Sequence, residues 1–171
     1  MLIDSLHTTL HLQKGEHFLE QGNLCTRIGR LTAGVMRGYV LDADGKEVTT
    51  HFYKEGDMII GSYIPNVPTS MSLQALEACE LSTADYATVM SLVNKNSEIT
   101  AIITRTFEQL NAQLQARLVS LLNLNSLEKY QHFLKEYPQL INRIPHYYVA
   151  NFLGITPTQL SRARKKFSQQ N

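Results

Sequence analysis

Apolar residues recur through the second half of the chain at helical intervals. Ile99, Ile103, Phe107, Leu110, Leu114, Leu118 and Leu121 follow at spacings of 4, 4, 3, 4, 4 and 3, the rhythm of one helical face close to a heptad seam. The helix should begin near Asn96 or Ser97, with Glu98 favourable in its first turn. It would run for about 25 residues, roughly 37 Å at the standard rise. A small fold cannot cover so long a stripe alone, so the pattern favours pairing with a second copy. Packing within the chain is the competing reading. Ile102, Val119 and Leu122 offer a second apolar edge.

Before this helix the pattern has the short period of strands. Runs over 8–13, 17–20, 27–31, 34–41, 47–53, 58–60, 71–76 and 79–81 are separated by turn signals such as Lys14-Gly-Glu16, Gln21-Gly-Asn23 and Asp42-Ala-Asp-Gly45. This predicts an antiparallel sandwich or roll. Thr83 to Met90 reads as a short helix capped by Thr83. After the long helix, Ser126 is expected to cap a helix burying Leu127, Tyr130, Phe133, Leu134 and Tyr137, which Pro138 ends. The expected domain boundary falls at Asn123 to Asn125.

From Ile144 to Phe167 the chain predicts helix, sharp turn, helix. Pro145 suits a first helical position, and Val149, Ala150, Phe152 and Leu153 form an apolar face. Gly154 can take the positive φ of a tight turn. Thr156 is an N-cap, Pro157 opens the next helix, and Leu160, Ala163 and Phe167 are its buried positions. Ala150, Gly154 and Leu160 keep the spacing of a helix-turn-helix, though an ordinary helical hairpin would share it.

Charge distinguishes those two readings. The formal net charge is only +1. Yet Arg143, Arg162, Arg164, Lys165 and Lys166 lie between Ile141 and Asn171, with no Asp or Glu. Such a localised cationic end fits a polyanion. Thr156, Thr158, Gln159, Ser161, Arg162, Arg164, Lys165 and Lys166 are the expected DNA-binding residues. Arg162, with Thr158 and Gln159 beside it, would reach base edges, and Ser161, Arg164, Lys165 and Lys166 would hold phosphates. His146 is placed to touch a phosphate.

Cys25 and Cys79 form no Cys-x-x-Cys pair and are expected to be reduced and structural. The start, Met1-Leu-Ile-Asp-Ser5, has no basic leader, and no run approaches the ~18 apolar residues of a membrane span. A cytoplasmic protein without membrane association is expected. His7, His11, His51 and His132 form no ligand cluster, so no metal, haem or other cofactor is expected. Neither a Gly-x-Ser-x-Gly elbow, a P-loop nor a Rossmann fingerprint is present, which disfavours an enzyme. Asp42, Asp44 and Glu47 read as a solvated charge run at a hairpin tip.

The order and spacing of Lys14-Gly-Glu16, Asp44-Gly-Lys-Glu47, Glu55-Gly-Asp57, Ser72-Leu-Gln-Ala-Leu-Glu-Ala-Cys-Glu-Leu81 and Leu153-Gly-Ile-Thr-Pro-Thr-Gln-Leu-Ser-Arg162 resemble the Crp–Fnr family of bacterial transcription regulators. The resemblance spans nearly the whole chain. It implies an α+β fold: an antiparallel β-roll of the cyclic-nucleotide-binding, jelly-roll type over 1–93, a dimerisation helix over 94–123 and a helix-turn-helix domain over 124–171. It also implies a homodimer that reads a palindromic double-stranded operator through helix 157–167. RNA polymerase is a further partner it suggests.

That family's nucleotide pocket uses a Gly-Glu pair and, further on, an Arg followed by a small residue. Here Gly61-Ser62 and Thr69-Ser70 occupy those places, and no Arg or Lys lies between Lys54 and Lys95. A bound cyclic phosphate would lack its charge partner, so no cyclic AMP or cyclic GMP binding is expected. Ser62, Thr69, Ser70 and Ser72 could instead hold a neutral effector, or none. Relative to the family pattern, an N-terminal helix looks shortened and the chain stops four residues after Phe167 without a β-wing. Two alternatives follow: a protein-binding or ligand-sensing module that lost DNA recognition, and a small cupin-like enzyme, which the absent ligand cluster disfavours.

Overall fold

The computed structural model describes residues 7–170; the expectation drawn from Met1 to Ser5 lies outside them. Eight strands come first: β1 (Thr8–Leu12), β2 (His17–Leu19), β3 (Arg27–Ala33), β4 (Met36–Leu41), β5 (Glu47–Tyr53), β6 (Met58–Ile59), β7 (Ser72–Ala75) and β8 (Cys79–Asp85). Five helices follow: α1 (Tyr86–Leu92), α2 (Ser97–Asn123), α3 (Ser126–Glu136), α4 (His146–Leu153) and α5 (Pro157–Ser168). The chain divides into two compact units, Met1–Thr106 and Phe107–Asn171, so α2 begins in the first and ends in the second.

The first unit is an antiparallel jelly-roll, the architecture the strand periodicity and the resemblance both imply. Its two four-stranded sheets have the orders β1-β8-β3-β6 and β2-β7-β4-β5. Such non-sequential neighbours let short strands bury one face each without leaving long free edges. Leu31 pairs with Leu81 across β3 and β8, and Met36 pairs with Tyr53 across β4 and β5. All four are buried, together with Ile59 and Leu73. Gly61 packs closely on Leu19: a Cβ there would lie 2.0 Å from Cδ2 of Leu19, so any larger residue would require that leucine to shift.

Two local features differ from the sequence expectation. Thr83 is not a helix cap; it continues β8, pairing with Thr8 on one side and Gly29 on the other. Asp85 caps α1 instead, its Oδ1 accepting from the Thr88 hydroxyl and amide, and these bonds hold its carboxyl below the usual range. Glu47 is also more than a solvated tip residue. It forms an ion pair with Arg37, which is only 1% exposed, donates to Gln74 at 2.9 Å and lies 4.2 Å from the centre of the Tyr39 ring. Asp42 does serve the hairpin tip, accepting from the amides of Asp44 and Lys46.

In the second unit, aromatic residues join the three helices. Phe133 of α3 and Tyr137, its C-cap, meet Phe152 of α4 edge-on, and Tyr130 of α3 meets Phe167 of α5 with ring centres 5.8 Å apart. Edge-to-face contacts of this kind add about 0.5–1.5 kcal/mol each beyond area burial. The cap of α3 is Asn125 rather than Ser126. Asn125 has Glu128 three residues ahead and forms a reciprocal capping box, whereas Ser126 would have faced Lys129. Likewise Pro145 is the N-cap of α4, one place before the expected position.

Candidate nucleic-acid interface

The turn between α4 and α5 follows from three residues. Gly154 ends α4 in the left-handed region at φ 63°. This backbone angle calls for glycine, and a Cβ at this position would also press on Cδ2 of Leu121 at 2.9 Å. Thr156 then caps α5: its hydroxyl accepts from the amide of Gln159 at 3.1 Å, and Gln159 Oε1 accepts from the amide of Thr156 at 2.8 Å. Pro157 occupies the first helical position, where its missing N–H leaves nothing unpaired. Leu160 and Ala163 are buried beneath, and burial of a leucine contributes about 1.5–3 kcal/mol.

Fixing Leu160 and Ala163 inward turns the opposite face of α5 outward. Thr158, Gln159, Ser161, Arg162, Lys165 and Lys166 are all exposed. The structure therefore brings most of the expected residues onto one accessible helix. Thr156 is the exception in role, since its hydroxyl is engaged in the cap. Gln159 shares its side-chain oxygen with that cap. A shallow cleft of about 670 Å³ runs beside this face, bordered by Gln159, Arg162 and Lys166 and by Asn125 to Leu127 at the start of α3.

Arg164 is half-buried and points elsewhere. It donates to Nδ1 of His146 at 2.9 Å, tying α5 to the first residue of α4. Burial, with a smaller contribution from the Arg164 charge, pushes the His146 imidazole below its ordinary pKa. Neither this pairing nor the exposed Tyr147, its ring tilted against that of Tyr148 with centres 3.8 Å apart, had a sequence signal. The pairing joins residues 18 apart, and only the helix-turn-helix geometry makes them neighbours.

The expected dimer stripe divides in two. Ile99 and Ile103 are already buried within the first unit. Leu110 and Leu121 are half-buried, while Phe107, Leu114 and Leu118 are half exposed or more. Val119 and Leu122 continue this apolar surface, Leu122 at 74% exposed.

The four hydroxyl residues of the roll differ in their surroundings. Thr69, 3% exposed, donates toward the carbonyls of Gly61 and Met71 and accepts from the Met71 amide. Ser72 accepts from the amide of Gln21, and Ser62 bonds within its own turn to Ile64. Ser70 is exposed. Tyr53 lies fully buried, its phenol pushed far up by burial, and burial also pushes that of Tyr63 up to about 12. Cys25 and Cys79 are both buried free thiols. Among the described residues no group of three or more His, Cys, Asp or Glu is placed to hold a metal, and no helix is long and apolar enough to cross a membrane.

Comparison with known proteins places this geometry. Residues 9–96 match the cyclic nucleotide-binding domain family. No curated protein sequence matches the chain. Among solved structures, FixK2 from Bradyrhizobium japonicum superposes with a TM-score of 0.85 at 15% identity, covering 96% of this chain and 85% of that one. CLP, a c-di-GMP-responsive global regulator from Xanthomonas campestris, gives 0.76 at 14% identity, covering 97% and 88%. A protein from Eubacterium rectale described as a transcriptional regulator of the crp/fnr family gives 0.77 at 17%, covering 99% and 82%.

Proposed function

The chain belongs to the cyclic nucleotide-binding domain family and has the fold of the Crp–Fnr regulators, and from that premise we propose that it is a homodimeric DNA-binding transcription regulator. One observation carries the reading: a capped helix, α5, whose outward face bears Arg162, Lys165 and Lys166 with no acidic residue from Ile141 onward. Arg162 reads a base edge, most often guanine, with Thr158 and Gln159 beside it. Ser161, Lys165 and Lys166 engage phosphates, and Arg164 does so after exchanging His146 for the backbone.

The exposed stripe of Phe107, Leu114 and Leu118 supports pairing of two copies through α2. A two-fold dimer then presents two α5 helices to half-sites roughly 34 Å apart. The working partition is a sensor roll over 1–93, a dimer helix over 94–123 and a DNA-binding domain over 124–171. The protein acts in the bacterial cytoplasm as a non-enzyme, with RNA polymerase as its downstream partner.

This regulator works without cyclic AMP. Ser62 and Thr69 carry no charge, and their hydroxyls serve the loop itself. Arg37, the buried cation of the roll, is already paired with Glu47.

Selection of preferred duplexes from a random pool tests the reading. Enrichment of a palindrome with half-sites one helical turn apart is the expected outcome. Recovery of no sequence preference would favour a module that kept the fold and lost specific recognition.

A further inference from the structure

A second cavity lies away from the interior of the roll. β3 alternates its side chains: Leu31 points inward with Leu81, so Ile28, Arg30 and Thr32 lie on the outer face with Ser82 and Ala84 of β8. Over this outer face pass α1 and the first turns of α2, wholly within the first unit. Between them is a cavity of about 520 Å³, within the size range of small-molecule sites. Its walls are largely apolar, with Ile28, Val89, Ile99 and Ile103 prominent.

Besides the hydroxyls of Thr32 and Ser82, three ionisable side chains sit in this apolar setting. His7 lines the cavity, its Nδ1 against the Ser82 hydroxyl. Its Nε2 is buried and has no hydrogen-bond partner among the described residues. Leaving such a nitrogen unsatisfied is destabilising, and a ligand oxygen would satisfy it. Arg30 also lines the cavity and forms no ion pair among the described residues. Glu98, on the first turn of α2, is the single carboxylate on the lining.

We propose that this cavity is a binding site for a small apolar monocarboxylic acid, its hydrocarbon body between Ile28 and Ile103 and its carboxylate held by Arg30 and His7. The apolar walls select the body. The guanidinium and the unsatisfied imidazole nitrogen select an anionic oxygen head. Glu98 disfavours a second negative charge. The site is on the opposite side of the β3–β8 sheet from the roll interior, so Ser62 and Thr69 take no part. Its roof is α2, so occupancy bears directly on the helix that carries the exposed apolar stripe.

Isoleucine-methyl NMR of the full chain with decanoate, kept below its micelle-forming concentration, tests the site without DNA. Its failure is therefore separable from failure of the regulator reading. Saturable shifts at Ile28, Ile99, Ile102 and Ile103, with Ile59 and Ile60 unmoved, are expected. Arg30→Gln should weaken decanoate about tenfold and leave 1-decanol unchanged. Ala84→Leu, which fills the cavity, should abolish both, with circular dichroism checking that the variant is folded. Should Ala84→Leu unfold, the exposed Arg30 variant still decides. The proposal is overturned by non-saturable shifts, by shifts centred on Ile59 and Ile60, or by equal decanoate binding to Arg30→Gln and wild type.

Discussion

The guanidinium of Arg117 closes the end of the helix that carries Phe152. Its Nε and Nη2 donate to the Phe152 carbonyl at 3.2 and 3.0 Å, and the same group lies 4.6 Å from the centre of the Phe152 ring. A cation at a helix C-terminus satisfies a carbonyl that the helix leaves unpaired. Arg117→Gln should therefore lower the stability of the second unit by about 1.5–3 kcal/mol, the range for a charge-assisted bond. Thermal unfolding followed by circular dichroism checks this, and an unchanged midpoint would show that the contact contributes nothing.

Leu118 is 58% exposed, so a charge there costs a single chain little. In a paired helix the same charge would be buried without a partner. Leu118→Asp is expected to leave the folded chain intact, shift sedimentation from dimer to monomer, and lose affinity for a palindromic site. A variant that sediments as wild type would place the interface elsewhere.

Arg162 and Lys165 should separate in their effects. Arg162→Ala should cost about 1–3 kcal/mol on the preferred site and relax one base position. Lys165→Ala should weaken every duplex alike and reduce the salt slope by about one. Binding isotherms at several salt concentrations distinguish the two. A wild-type ratio of specific to random binding in Arg162→Ala would remove that residue from base readout.

Burial of His146, with a smaller contribution from the Arg164 charge, sets a pH dependence. The folded imidazole titrates below its ordinary value of 6.5, so on acidification the unfolded chain takes up this proton first. The contribution is complete above about pH 6.5 and is lost as pH falls toward the lowered value. Denaturant midpoints measured between pH 7.5 and 5 should fall, and His146→Gln should flatten that fall. An identical pH profile in the variant would assign the effect to other groups.

The sequence carried the roll, the long helix and the α4–α5 turn because each rests on local rules: strand alternation, a seven-position stripe, and Gly154 followed by Thr156-Pro157. It was less informative where partners come from far along the chain. Nothing in the alternation of β4 marks Arg37 as buried, since that depends on Gln74 and Glu47 arriving from two other strands. Thr83 looked like a cap because capping chemistry is local, whereas pairing on both sides with Thr8 and Gly29 decided its conformation. Ile99 and Ile103 shared a period with Leu114 and Leu118, and a period alone does not say which neighbour covers each turn.

The bonding of Thr69 limits how an anion site could be built into this roll. Thr69→Arg would put a long cation where one hydroxyl is now shared between the carbonyls of Gly61 and Met71, and neither carbonyl would keep that donor. Introducing a charge is thus not a matter of exchanging one side chain. The loop itself would have to be rebuilt before the ion had anywhere to go.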